Sequence, residues 1–227
     1  MTIEEKHVVF RELAQQMGMQ TARALLPEEI DIWLNVAIND IVKELITSSV
    51  GYAPYNDKVA RHNNAVSPIN GLRTLYKKGD VIVSASSVKN TIIDIADTNV
   101  MIYTGFRVIY NDNTMYDCRI VEAEYLAQTL NDYCNRAAKD SPICTVSGDT
   151  NKISLEVYTG NSTSNIISKI QYLYIKNPAV VYYDENDINK CVNCDLPSYL
   201  HLDVVKRAVN VYLQSIGAVA SNNKTKD

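Results

Sequence analysis

The sequence predicts an α+β protein, with helices towards both ends of the chain and an antiparallel β-rich region between them. Two observations lead to this prediction. Apolar residues recur at spacings of three and four in segments near the two ends, which is the period of an amphipathic helix. From about residue 80 to 195, short runs rich in Val, Ile, Thr and Tyr alternate with turn residues, which is typical of strands.

Two helices are predicted in the N-terminal region. The first covers about residues 3–18, ends at Gly18 and has Val9, Leu13 and Met17 on one face. The second covers 27–49 and begins at Pro27, because the fixed φ of proline suits a first helical turn. Its apolar stripe consists of Ile30, Trp33, Leu34, Ala37, Ile38, Ile41, Val42 and Leu45.

Residues 50–79 lack a sustained period and are predicted to form a long extended arm. The arm holds five basic residues and one acidic residue, a formal charge of +4, so the rest of the chain carries −8. We expect this arm to be ordered by contact with an adjacent subunit or another partner, because its length and apolar content exceed those of a solvated linker. The candidate interaction residues are Tyr52, Tyr55, Lys58, Arg61, Arg73, Tyr76, Lys77 and Lys78.

The β-rich domain is predicted over 80–195, with a hairpin whose turn lies at 111–114. A helix is predicted at 123–138, and a closing helix at 197–216 begins after Asp195, which is placed to cap it. The tail at 218–227 is polar and is expected to be disordered. The predicted strands are 81–85, 91–96, 100–110, 115–121, 143–146, 152–159 and 169–174.

Composition excludes several classes of protein. The 227-residue chain has 22 basic and 26 acidic residues, a formal charge of −4, which disfavours a protein that grips nucleic acid by neutralising phosphates. A mild negative charge instead suits a surface past which DNA slides. No apolar run reaches the roughly 18 residues of a membrane helix, and the acidic start MTIEEKH is unlike a signal peptide. We therefore expect no membrane association, and synthesis in a cytoplasm.

The five cysteines are expected to be reduced and metal-free. Cys191 and Cys194 have the spacing of half a zinc site, but a structural zinc needs four ligands. Cys144 and His201 are the residues that the fold would have to bring close to complete one. The histidines, His7, His62 and His201, show no metal-binding or catalytic spacing, so no cofactor is predicted.

No catalytic constellation is complete, so the chain is predicted not to be an enzyme. The acid pairs Asp94 with Asp97 and Glu122 with Glu124 have a spacing that is common by chance. Residues 184–189 resemble the start of a calcium loop but lack its glycine and closing glutamate. Fifteen Tyr against two Phe indicate either surfaces that meet partners or cross-strand pairs within the β region.

Two segments carry a resemblance to a known family. Leu26-Pro-Glu-Glu-Ile-Asp-Ile-Trp-Leu-Asn-Val-Ala-Ile-Asn-Asp-Ile and Cys194-Asp-Leu-Pro-Ser-Tyr-Leu-His-Leu-Asp-Val-Val-Lys-Arg-Ala-Val resemble helices of the head-to-tail adaptor (ring or connector) proteins of short-tailed phages, particularly crAss-like phages. The resemblance implies that residues 1–49 and 196–217 form one helical bundle, which the helix at 123–138 is a candidate to join. Neither motif is catalytic.

The resemblance also implies a function and partners. Such a protein is a structural component of the virion that forms a homo-oligomeric, dodecameric ring between head and tail. The ring docks on the portal protein, contacts other tail proteins and surrounds the channel through which DNA leaves without sequence-specific binding. Extended arms that reach a neighbouring subunit are a natural means of closing such a ring.

A carbohydrate- or peptidoglycan-directed binding or hydrolytic domain, built on the β region, is the alternative. It predicts a monomer or dimer with a concave pocket lined by convergent polar groups.

Overall fold

The computed structural model of the protein describes residues 1–16, 25–50, 70–83, 90–96, 99–149, 152–160 and 166–216. The fold is α+β, as predicted, with helices and two four-stranded sheets. The chain divides into two compact units. Unit 1 consists of Met1–Leu75 and Pro178–Asp227, and unit 2 is Tyr76–Asn177.

The described helices, in chain order, are α1 (Ile3–Gln16), α2 (Pro27–Val50), α3 (Ala123–Asn131) and α4 (His201–Ser215). The strands are β1 (Tyr76–Ile82), β2 (Asn90–Ala96), β3 (Val100–Tyr110), β4 (Met115–Asp117), β5 (Arg119–Ile120), β6 (Ile143–Asp149), β7 (Lys152–Tyr158) and β8 (Ile167–Lys176).

Helix α1 begins with a reciprocal cap. The Thr2 hydroxyl accepts a hydrogen bond from the Glu5 amide (3.2 Å), and the Glu5 carboxylate accepts one from the Thr2 amide (2.9 Å), which satisfies two amides of the first turn. The helix is described as far as Gln16, and its predicted end at Gly18 lies outside the described residues.

The buried face of α1 differs from the predicted one. Its buried residues are Ile3, Lys6, His7, Phe10 and Ala14, whereas Val9 and Leu13 are only half-buried and Met17 lies outside the described residues. Two overlapping apolar stripes are available on this helix, and contact with α4 selects the one that includes Phe10. The selected face also buries a lysine and a histidine, which hydrophobic periodicity alone does not indicate.

Helix α2 confirms the strongest prediction from the sequence. Ile30, Leu34, Ala37, Ile38, Ile41 and Val42 are buried, while Trp33 and Leu45 are half-buried. Helix α4 packs against α2 and α1. The Tyr212 ring of α4 lies between them, 5.9 Å from the ring centroids of both Phe10 and Trp33.

The closing helix starts later than predicted. Residues Ser198–Leu200 form a 3₁₀ turn, and the α-helix begins at His201. Asp195 does not cap it. Its carboxylate instead accepts a hydrogen bond from the Ala179 amide (3.3 Å), because residues 178–183 return to unit 1 beside this turn.

The last ten residues of the predicted arm belong to the fold. Residues 70–72 form a helical turn in which Leu72 is buried, and Leu75 is also fully buried. Strand β1 starts at Tyr76 rather than near residue 81, because Tyr76–Ile82 pairs in full with β8. The prediction of an extended arm at 50–79 is therefore wrong for residues 70–79. Its residues 51–69 are outside the part of the chain that the structure describes.

Unit 2 contains two sheets with the strand orders β1-β8-β3-β4 and β2-β7-β6-β5. The predicted hairpin is present as β3 and β4, with Asn113 in the left-handed region (φ 62°) at its turn. After Cys118 the chain leaves the first sheet, and β5 pairs in parallel with β6 of the second. The core between the sheets includes Ile95, Phe106, Val108, Leu155, Val157 and Ile170.

Two predicted boundaries in this region are wrong. The β-rich unit ends at Asn177 instead of 195, because 178–195 is hydrogen-bonded to the helices of unit 1. The helix predicted at 123–138 ends at Asn131 and belongs to unit 2. The Asp132 carboxylate accepts hydrogen bonds from the Cys134 amide and the Asn135 side chain, and such local bonds compete with helix continuation.

Gly79 of β1 lies directly under the ring of Tyr172, its partner residue on β8. A Cβ atom at Gly79 would be 2.2 Å from Tyr172 Cζ. We predict that Gly79→Ala lowers the free energy of unfolding by about 1–3 kcal/mol through overpacking, and by less when Tyr172 is replaced by Leu. Urea denaturation measures both values.

Gly105→Ala in β3 is the matched control. Its Cβ would meet Leu173 at 4.0 Å, an ordinary contact, so we expect little change in stability. Equal losses for Gly79→Ala with and without Tyr172 would contradict the assigned cause.

Candidate functional site

The predicted interaction residues fall into two groups. Tyr52, Tyr55, Lys58 and Arg61 lie outside the described residues, so their predicted role stays a prediction. Arg73, Tyr76, Lys77 and Lys78 are described and exposed. Tyr76 accepts a hydrogen bond from the Thr104 hydroxyl (3.3 Å), and Lys77 lies opposite Tyr174 in the sheet, so part of this group is integrated into β1.

A cleft in unit 1 lies at the N-terminal end of α2. Its volume is about 200 Å³ and it is open to solvent. It forms where residues 182–186 pass the start of the helix, so it combines aromatic, apolar and acidic side chains. The lining residues are Leu26, Pro27, Glu28, Tyr182, Tyr183, Asp184, Glu185 and Asn186.

A buried hydrogen-bond network holds the tyrosine wall of this cleft. Asp31 of α2 accepts a hydrogen bond from His7 Nε2 of α1 (2.8 Å) with one oxygen and from the Tyr183 amide (2.9 Å) with the other. The His7 and Asp31 side chains are almost fully buried. The His7 ring also lies 4.7 Å from the Tyr183 ring. A carboxylate with both oxygens engaged fixes its partners firmly, so Tyr183 has a defined position.

The loop after Tyr183 is organised by its own side chains. The Asp184 carboxylate accepts the Asn186 amide (2.9 Å), and the Asp187 carboxylate accepts the Asn189 amide (3.1 Å). The Cys191 sulfur accepts the Asp184 amide at 3.4 Å. The segment that resembled a calcium loop thus forms successive Asx turns.

The cleft is acidic. Glu28, Asp184 and Glu185 contribute three carboxylates, and no Lys or Arg is among the described residues that line it. Desolvation, followed by the charges of Glu4 and Glu185, raises the pKa of the Tyr183 hydroxyl, an effect that Arg11 partly opposes. The cleft therefore favours a positively charged or hydrogen-bond-donating group.

An exposed apolar stripe continues from the cleft along α2. Glu28, Ile32 and Val36 follow one another at helical spacing, and both apolar members are exposed, Ile32 by 59%. The Asn35 side chain makes two hydrogen bonds to the Val181 backbone (2.8 and 3.0 Å), which fixes an extended segment beside this stripe. Val181 is buried, so the alternating neighbours Val180 and Tyr182 face outwards.

A second polar cluster lies inside unit 1. Lys6 is fully buried, and its Nζ atom has no hydrogen bond of good geometry among the described residues. Desolvation lowers the pKa of Lys6, and the neighbouring Cys194 thiol partly offsets this. Burial raises the pKa of the Cys194 thiol and lowers that of His201, whose Nε2 donates to the Leu196 carbonyl (2.8 Å).

The two cysteines that were candidates for half of a zinc site have different partners. Cys191 serves the loop at 184–191, and Cys194 interacts with Lys6. Cys144 belongs to the core of unit 2. Within the described parts of the chain, no group of three or more His, Cys, Asp or Glu side chains is arranged to hold a metal ion.

The described members of the candidate acid pairs, Asp94, Glu122 and Glu124, do not line the cleft. Asp94 accepts hydrogen bonds from the Ser154 hydroxyl (2.7 Å) and Lys152 (3.0 Å), which lower its pKa, whereas a general acid needs a raised pKa. Asp97 lies outside the described residues. Glu122 and Glu124 are exposed at the start of α3 in unit 2.

Sequence reasoning did not identify the cleft. Its lining comes from the start of α2 and from a segment more than 150 residues later in the chain. The adjacent Tyr182-Tyr183 pair and the acidic run after it were a signal of a polar aromatic surface, but nothing in the sequence assigned them to α2.

No protein-family model matches the chain, and no curated protein matches it. In the described residues, no helix has both the length and the apolar character needed to cross a bilayer.

Lys6 provides a test of the interior cluster. Replacing Lys6 with Met keeps a long side chain but removes a buried amine without a good partner, so we predict a gain of about 1–3 kcal/mol in unfolding free energy at pH 7. The lowered pKa means that the folded state penalises the charged amine. The unfolding free energy of the unchanged protein should therefore rise as pH increases from the folded pKa of Lys6 towards the unfolded value of 10.5. The difference in unfolding free energy between the Lys6→Met variant and the unchanged protein should narrow over the same range.

Urea denaturation between pH 7 and 10 measures this gap. Lys43→Met on the exposed side of α2 is the control, for which little change is expected. If the difference in unfolding free energy between Lys6→Met and the unchanged protein stayed constant over this pH range, the burial penalty assigned to Lys6 would be contradicted.

Proposed function

We propose that the protein is a structural virion component, the head-to-tail adaptor ring that docks on the portal of a short-tailed phage and surrounds the DNA exit channel. In this role it acts as a homo-oligomer with no turnover of its own. Its other partners are tail proteins distal to the ring.

One observation supports this proposal above the others. The two helices whose sequences resemble the adaptor family, α2 and α4, are packed against each other in unit 1 although more than 140 residues separate them in the chain. Arg207 of α4 reaches Glu44 of α2 (2.6 Å), and Tyr212 contacts Trp33. This packing is what the resemblance implied for these two segments.

The size of the cleft favours an interaction role over a substrate site. Small-molecule sites usually enclose about 300–1,000 Å³. At about 200 Å³ the cleft suits one or two protein side chains. The formal charge of −4 is also compatible with a lumen through which DNA passes without adhering.

The carbohydrate-directed alternative has its own supporting observation in unit 2. Tyr103, Tyr172 and Tyr174 form a half-exposed aromatic cluster, with Tyr172 and Tyr174 stacked at 5.6 Å, and Lys77 lies opposite Tyr174. Planar rings of this kind can stack on the apolar faces of sugars. A sedimentation assay with purified peptidoglycan tests this candidate: binding that Tyr174→Ala abolishes would favour it over the adaptor.

We predict that electron microscopy of virions carrying a tagged copy of the chain locates the tag in the connector between capsid and tail. The tag is best inserted in the polar segment after residue 217. An untagged virion is the control for density in the connector. Recovery of the chain only in the soluble lysate, together with cell-wall hydrolase activity, would rule the adaptor role out.

A further inference from the structure

We propose that the acidic cleft and the adjoining apolar stripe of unit 1 bind residues 51–69 of a second copy of this chain. The docking surface is defined by Glu28, Tyr182, Asp184 and Glu185 in the cleft and by Ile32, Val36 and Val180 beside it. This inference rests on the proposed function in so far as a ring needs a contact between neighbouring copies.

The chemistry of segment 51–69 matches this surface. The segment carries Lys58 and Arg61 against one acid, Asp57, and has Tyr52 and Tyr55 among its apolar residues. The cleft supplies carboxylates for the basic groups, and the stripe supplies an apolar surface for the aromatic and aliphatic ones. Charge complementarity of this kind selects partners and register.

The exposed stripe indicates a binding surface more strongly than a single exposed apolar residue would. Ile32 and Val180 are exposed by 59% and 72%; Ile32 precedes Asn35 by about one helical turn, and Val180 precedes Val181, whose backbone Asn35 binds. Single exposed apolar residues are ordinary, but Ile32 and Val36 lie on successive turns of α2 beside a polar cleft, and such a stripe is typical of a binding surface.

The positions at which the segment leaves and re-enters the described structure argue for a second copy. It leaves at Val50, the end of α2, about 33 Å from Glu28 at a rise of 1.5 Å per residue. It re-enters at residue 70, and Gly71 lies against Leu45, about 25 Å from Glu28.

To reach the cleft of its own chain, the segment would have to run about 33 Å to Glu28 and about 25 Å back, a path of about 58 Å. The twenty Cα–Cα steps from residue 50 to 70 span about 70 Å at most. A chain stretched this far has few residues left to lie in the cleft or along the stripe. The segment of a second copy is not tied to the far end of this α2, so it can occupy both.

A contact of this type joins two different surfaces. Each copy offers its segment to the next and receives one in its own cleft, so the interface is head-to-tail. Such an interface forms a ring when the rotation between copies closes.

Zero-length carbodiimide cross-linking of the full chain tests the proposal. Equal amounts of ¹⁴N- and ¹⁵N-labelled chain are mixed at high concentration and low salt. We expect Lys58 to be linked to Glu28, Asp184 or Glu185, with light–heavy pairs as abundant as light–light and heavy–heavy pairs together. Raising the salt concentration should reduce the yield, because the charges of the cleft are open to solvent.

Matched variants define the site. Asp184→Asn with Glu185→Gln should abolish the Lys58 cross-links to the loop and weaken self-association, whereas Glu122→Gln with Glu124→Gln, the same loss of charge at an exposed site in unit 2, should leave both unchanged. Lys58→Arg keeps the charge but removes the reactive amine, so it should preserve self-association and eliminate the cross-link.

Cross-links confined to single chains, or no cross-link between Lys58 and the cleft, would overturn this inference. A failure of this inference can be distinguished from a failure of the proposed function. If the tag lies in the connector but the Lys58 cross-link is missing, the adaptor role stands and this inference fails. If the chain forms intermolecular cross-links but is absent from virions, it self-associates without the adaptor role.

Discussion

The architecture of unit 1 depends on the attachment of residues 178–183 to α2. Asp31 accepts the Tyr183 amide, and Asn35 pairs with both backbone groups of Val181. Together with the antiparallel bridge between Tyr182 and Val192, these bonds satisfy the backbone of an extended segment that lies outside the two sheets. The segment thereby brings the C-terminal part of the chain, and α4 with it, back to the N-terminal helices.

The same attachment creates the candidate site. Because Val181 is turned inwards against α2, its neighbours Val180 and Tyr182 face outwards. Because Asp31 holds Tyr183 and the Tyr183 ring lies near His7, the acidic loop that follows passes close to the first turn of α2. The cleft, its carboxylates and the exposed stripe are thus consequences of a few buried hydrogen bonds.

Unit 1 also contains polar groups whose burial is unfavourable. Lys6 is fully buried beside Cys194, and the network of His7 and Asp31 is nearly inaccessible. Replacing such groups by apolar residues is often neutral or stabilising, so their presence is weak support for a purely stabilising role. They do distinguish the observed face of α1 from the alternative apolar stripe through Val9 and Leu13, since only the observed face brings His7 to Asp31.

Local pattern in the sequence was sufficient for α2, for the existence of α1 and α4 and for the approximate positions of the strands, because the period of apolar residues follows directly from helix and strand geometry. It was not sufficient for the start of β1, the end of α3 or the domain boundary at Asn177, since long-range pairing and local side-chain bonds decided these. The predicted arm residues near its end, Tyr76 to Lys78, proved to be part of a sheet. The cleft was beyond sequence reasoning altogether: Glu28 and Glu185 become neighbours only when Asp31 and Asn35 bind a segment that is about 150 residues distant, and no local period encodes such a contact.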